Sequence, residues 1–119
     1  MDIKNINHVE PFITKDGSQI RELLAPRNSC IQQQSLAEAQ LPVGAETTPH
    51  HHVVTEEIYF ILEGQAEMRI DNDTRTVGPG DAIAIPPGKV HQIRNVGTDT
   101  LKFLCCCAPA YENSDTVLR

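Results

Sequence analysis

With 119 residues, 39% of them hydrophobic, the chain is long enough for one hydrophobic core and too short for two. Its 16 acidic residues outnumber 10 basic ones, a net charge of −6 with no basic cluster, which argues against nucleic acid or an anionic membrane surface as the main partner and leaves a small molecule. The opening MDIKNINHVEPF lacks a charged segment followed by an apolar run, no stretch reaches spanning length, and Cys30 with the run Cys105-Cys106-Cys107 is not the dispersed spacing of a disulfide framework, so a cytoplasmic location is expected.

Residues 1–18 read as a polar N-terminal arm, with Pro11 and the turn signal Asp16-Gly17-Ser18 predicting a loosely held or edge-pairing segment. The fold proper is expected over 19–108. Gln19 to Leu24 alternates as a short strand, with Ile20, Glu22 and Leu24 on one side and Arg21 on the other; Arg21 is a candidate for binding a substrate carboxylate or assisting catalysis, against an ordinary surface ion pair. Cys30 to Leu41 contains the helix formers SLAEAQ, but Pro42-Val43-Gly44 reads as a turn between strands and every later element is short and bounded by Gly or Pro, so a strand is expected.

In Glu57 to Glu63, EIYFILE, Tyr59 and Ile61 share a face with Glu57 while Ile58, Phe60 and Leu62 occupy the other. Both faces are apolar, so a second sheet or a second subunit must cover this strand, and a homodimer is expected. Ala66 to Ile70, Arg75 to Val77, Ala82 to Ile85, Val90 to Asn95 and Leu101 to Cys107 follow at short intervals between turn signals. Eight or nine short strands in one domain predict an all-β closed barrel or jelly roll. The tail, residues 109–119, either packs across one end of the barrel or loses order after Asn113.

The chemistry concentrates between Gly44 and Gly64. His50 and His52 are one residue apart, so on an extended segment both imidazoles leave the same face about 6.6 Å apart along the backbone, a spacing that suits one metal ion. Glu57 lies at an odd offset from His52 and would face away on a continuous strand, so a bend through Val53-Val54-Thr55 is needed to bring it round. His91 is the fourth candidate ligand. His51 points the opposite way, Glu56 would replace Glu57 only if the bend were one residue shorter, and His8 stands outside any pattern. Three imidazoles and a carboxylate suit a divalent first-row ion: Fe, Mn or Ni, with Zn or Cu also compatible. Four protein ligands on an octahedral ion leave two positions for a chelating substrate, whereas tetrahedral zinc would be filled.

These residues resemble the two motifs of the cupin family. The first, G-x5-H-x-H-x4-E-x6-G, is matched by Gly44, His50, His52, Glu57 and Gly64; the second, G-x5-P-x-G-x2-H-x3-N, by Gly80, Pro86, Gly88, His91 and Asn95. The 15 residues between Gly64 and Gly80 resemble the short connection of small single-domain members. The resemblance implies a double-stranded β-helix, with His50, His52, Glu57 and His91 as metal ligands inside the barrel. Asn95 reads as structural, its amide satisfying a neighbouring loop.

On Leu101 to Cys107, Leu101, Phe103, Cys105 and Cys107 are expected to look inward, the cysteines as inert buried hydrophobes rather than ligands or redox groups. The leading functional expectation is a metal-dependent enzyme acting on a small chelating substrate, a dioxygenase first and an isomerase or decarboxylase second. Glu57 and Tyr59, with Arg21, are the candidate catalytic side chains, and Tyr111 or Gln33 could assist. The other reading is a non-catalytic module that binds a small ligand or the metal itself, and a cavity lined by convergent polar groups would favour catalysis over it.

Overall fold

The computed structural model describes all 119 residues. Its strands are β1 (Phe12–Ile13), β2 (Gln19–Leu24), β3 (Ser35–Leu41), β4 (His50–His52), β5 (Glu56–Glu63), β6 (Ala66–Ile70), β7 (Asp73–Val77), β8 (Ala82–Ile85), β9 (His91–Asn95), β10 (Leu101–Ala108) and β11 (Thr116–Leu118), with short 3-10 turns at Ile6–His8 and Asn113–Asp115. They form two sheets, one ordered β1-β2-β3-β10-β5-β8 and the other β11-β4-β9-β6-β7, and every recorded pairing is antiparallel. This is the all-β jelly roll expected from the rhythm of short strands.

Period-two alternation decides what each strand buries. On β5, Glu57, Tyr59 and Ile61 are buried while Ile58, Phe60 and Leu62 remain exposed. On β10, Leu101, Phe103, Cys105 and Cys107 are buried and the residues between them only partly so. These inner faces meet Ile20, Ala39, Leu41, Ala66, Met68, Ile85 and Ile93 in one core between the sheets. Each large apolar side chain taken fully from water contributes about 1.5–3 kcal/mol, so Leu41, Ile61, Ile93, Leu101 and Phe103 form the main stabilising group.

Gly64 shows why one turn needs glycine. Its φ is 95°, and a Cβ there would lie 3.1 Å from Leu101 Cα, so any side chain would force β10 away from the β5–β6 turn. Asn95 fills the structural place expected of it. Its amide nitrogen donates to Leu41 O and Asp99 O at 3.1 and 2.8 Å, and its oxygen accepts from Gly97 N at 3.0 Å.

One boundary differs from the sequence reading, and at the two chain ends the structure takes one of the alternatives left open, edge pairing for the arm and an ordered tail. Residues 30–34 are loop, because Asn28 and Ser29 hold the turn after β2: Ala25 N donates to Asn28 Oδ1 at 2.8 Å, and Ser29 Oγ donates to Ala25 O at 2.8 Å. The arm contributes β1, paired with β2. The tail does not lose order: β11 pairs with β4, and Tyr111 N donates to Ser35 Oγ at 2.9 Å.

Candidate metal centre

β4 carries three consecutive histidines, and its alternation turns His50 and His52 into the barrel with His51 between them on the other face. Bends at Val53 and Val54 then let β5 begin in the opposite sheet, which brings Glu57 inward while Glu56 stays exposed. His91 opens β9 and is paired in register with His50. All four side chains are buried. The three imidazoles each place a ring nitrogen within 4.8 Å of the others, and Glu57 Oε1 lies 3.2 Å from His52 Nε2 and 3.6 Å from His91 Nε2.

The far side of each ring fixes what the near side presents. His50 Nδ1 is 2.7 Å from Thr48 O and His91 Nδ1 is 3.2 Å from Lys89 O, contacts that require the proton on Nδ1. Thr116 Oγ1 donates its own proton to Glu112 O at 3.2 Å, so toward His52 Nδ1, also at 3.2 Å, it acts as acceptor. In the neutral rings all three Nε2 atoms are therefore lone pairs, and they converge with a carboxylate. Burial, followed by the neighbouring His91, lowers the pKa of His50, so this ring is neutral at neutral pH. Burial raises the Glu57 carboxyl; only when His52 and His91 are protonated do their hydrogen bonds and charge outweigh it and hold Glu57 at about 2.

Acceptors thus face acceptors. Glu57 Oε1 and His91 Nε2 are buried without a hydrogen-bond partner, although Oε1 lies close to His52. Orphaned buried acceptors are costly, and a cation between them removes the cost. The donor set therefore fits a divalent transition-metal ion, with the Nδ1 contacts orienting the rings as the outer contacts of metal-binding histidines do.

Around this cluster lies a cavity of about 40 Å³, walled by Ile20, Ala37, Ala39 and Phe103 and by the polar groups of Asp16, Ser18, Ser35, Tyr111 and Thr116. Tyr59 lines it as well, its ring edge-on to His91 with centroids 5.9 Å apart, and burial raises its pKa so that the phenol stays protonated. Tyr111 stands edge-on to His52 at 6.1 Å.

Arg21 is not brought to the site. It lies on the outer side of β2, 3.8 Å from Glu38 in an ion pair, while its neighbours Ile20 and Glu22 line the cavity. The strand alternation that exposes the inner neighbours to the cavity is what takes Arg21 away from it. Gln33 and His8 are exposed on the surface.

Two contacts at the site were not read from the sequence. Cys107 is more than inert packing: its thiol donates to Glu57 Oε2 at 3.2 Å, and burial followed by the Glu57 charge raises its pKa, keeping the donor proton in place. Asp16, read only as part of a turn, puts Oδ2 at 3.3 Å from His50 Nε2. No local signal marks this, since the contact joins the N-terminal arm to a strand of the other sheet.

Comparison with known proteins agrees with this architecture. A cupin-domain family profile matches residues 37–107. An uncharacterised protein of Methanocaldococcus jannaschii is 52% identical over 108 residues, 91% of this chain and 86% of its own length. The quercetin 2,3-dioxygenase of Bacillus subtilis is 28% identical over 78 residues, 66% of this chain but only 23% of that enzyme. Among solved structures, a predicted oxalate decarboxylase from Thermotoga maritima superposes with a TM-score of 0.80 at 24% identity, over 91% of this chain and 99% of its own. With the sequence motifs, the two-sheet barrel and the profile match in agreement, the chain belongs to the cupin family.

Proposed function

We propose that this cupin is a metal-dependent enzyme acting on a small chelating substrate, with dioxygenation as its reaction. The observation that carries the reading is the convergence of three imidazole lone pairs with a buried carboxylate oxygen that has no donor. His50, His52, Glu57 and His91 would hold the ion, and Fe, Mn or Ni suit this mixed nitrogen and oxygen set. When bound, such an ion supplies Lewis acidity and positions open to substrate.

The remaining roles belong to the chain. Tyr59, kept protonated, can donate a hydrogen bond to a substrate oxygen. The small cavity beside the cluster suits small substrates such as keto acids and enediols. The relatedness to a quercetin 2,3-dioxygenase supports oxygen chemistry, and the likeness to a predicted oxalate decarboxylase supports decarboxylation as the second reading.

Metal-loaded protein should consume oxygen with at least one member of a panel of enediols, catechols, diketones and keto acids, and His52→Ala should abolish the uptake. Carbon dioxide release without oxygen consumption would favour the decarboxylase. Neither reaction with any member would favour a non-catalytic binding module.

The same reading includes a homodimer, supported by the outer face of the larger sheet. The strand registers align Leu36, Cys106, Ile58 and Ala84 in one row and Leu104, Phe60 and Ala82 in the next, which ends on the β3 side at Glu38 and its ion-pair partner Arg21. Ile58, Phe60 and Leu62 keep 48, 38 and 39% of their surface exposed in the single chain, side by side on one face, and contiguous exposed apolar patches mark interaction surfaces. A second copy of the chain would cover them.

A further inference from the structure

The turn ahead of β2 supplies a group that neither motif contains. Thr14 N donates to Ser18 O and Gly17 N to Thr14 O, both at 3.0 Å, and Gly17 adopts φ 92°, which closes residues 14–18 into a compact turn. Inside it, Asp16 Oδ1 accepts from Thr14 Oγ1 and Ser18 Oγ at 2.6 Å each and from Ser18 N at 2.9 Å. One oxygen is thus fully engaged, and the other, Oδ2, is aimed at His50 Nε2 at 3.3 Å. The turn itself is pinned over the site. Thr48 N donates to Asp16 O at 2.8 Å, and Lys15 Nζ donates to Asn113 O and Thr116 O at 3.0 and 2.9 Å.

This approach is not an ordinary hydrogen bond. His50 carries its proton on Nδ1, toward Thr48 O, so the Nε2 lone pair and Asp16 Oδ2 are two acceptors facing each other, the same opposition found between His91 Nε2 and Glu57 Oε1. A cation shared by the whole cluster turns both repulsions into attractions.

We propose, resting on the metal-centre reading above, that Asp16 is a further carboxylate ligand of the same ion, supplied by the N-terminal arm. Three neutral imidazoles and two carboxylates then balance a divalent charge. The second carboxylate shifts the preference toward harder ions such as Mn²⁺ and away from Cu²⁺. It also leaves a six-coordinate ion one position instead of two, so a substrate that binds through two oxygens displaces Asp16. The substrate class that does this is a small oxyanion chelator, whose charge replaces the one it removes.

The test uses the full-length protein, Mn²⁺ and Cu²⁺ titrations by calorimetry, and the visible spectrum of the Co²⁺-loaded form. Asp16→Asn is the informative variant, because its side-chain oxygen still closes the turn while the ligand charge is gone. It should raise the Mn²⁺ dissociation constant about tenfold or more, raise that for Cu²⁺ less, and change the Co²⁺ spectrum. Asp16→Ala should do the same. Unchanged Mn²⁺ affinity and an unchanged Co²⁺ spectrum in both variants overturn the proposal. His91→Ala separates the two levels: if it loses metal while Asp16→Asn does not, only the role of Asp16 falls, and if it too retains metal, the centre itself falls with it.

Discussion

Cys105 and Cys107 sit two residues apart on the inner face of β10, opposite Tyr59 and Glu57 in the strand register. Their alternation with Cys106 was legible from the sequence, because a strand of known direction fixes which of three adjacent cysteines looks inward. What the sequence could not show is that Cys107 meets the Glu57 carboxylate, since that contact depends on the β5–β10 register. Burial raises both thiols well above their ordinary range, and the Glu57 charge raises them further. Alkylation needs the thiolate, so the sign is plain: raising the pH to 9 leaves these two sulfurs protonated and unreactive. Iodoacetamide at pH 8 to 9 should modify exposed Cys30 in the native protein and spare Cys105 and Cys107, while denaturation exposes all four cysteines. Mass spectrometry locates the adducts, and rapid native labelling of Cys105 or Cys107 would contradict the burial described here. Asp16 marks the limit of reading at this scale: its turn was visible, its reach to His50 was not.

At the scale of the element, β5 carries two tasks on two faces. Glu57, Tyr59 and Ile61 face the core and the metal cluster, and Ile58, Phe60 and Leu62 face outward with the apolar rows of β3, β10 and β8. Light scattering with size exclusion at tens of micromolar should give twice the chain mass. Phe60→Asp, which would bury a charge at the centre of that contact, should raise the dimer dissociation constant by roughly a hundredfold or more. A monomeric native protein would refute the interface. The strands from Gln19 onward were readable because alternation and Gly or Pro punctuation are local signals. β1 was readable only as an edge-pairing segment without bounds, and β11 not as a strand, because it is three residues long and exists only through a partner strand distant in sequence. The loop at residues 30–34 escaped for a similar reason: helix formers and apolar residues there gave no boundary, and the side-chain contacts of Asn28 and Ser29 set it.

For the whole molecule, the centre is a product of sheet closure. His50, His52 and His91 come from the five-stranded sheet and Glu57 from the six-stranded one, so the four groups meet only when the two sheets face each other. The motif spacing made these four residues legible as a set, while the tail that supports His52 through Thr116 and the arm that brings Asp16 lay outside the motifs. A ligand bound only by the folded state adds stability, about 2.7 kcal/mol at a hundred times its dissociation constant, so the ion would clamp the two sheets together. The direct measurement is the metal-to-protein ratio, by elemental mass spectrometry, of the native chain and of His52→Ala purified in parallel and shown by circular dichroism to retain the β fold. The native protein should carry one transition-metal ion per chain and the variant less than about a tenth of that, because removing one imidazole also leaves Glu57 Oε1 without its nearest neighbour. Full retention of metal by the folded variant would contradict the account.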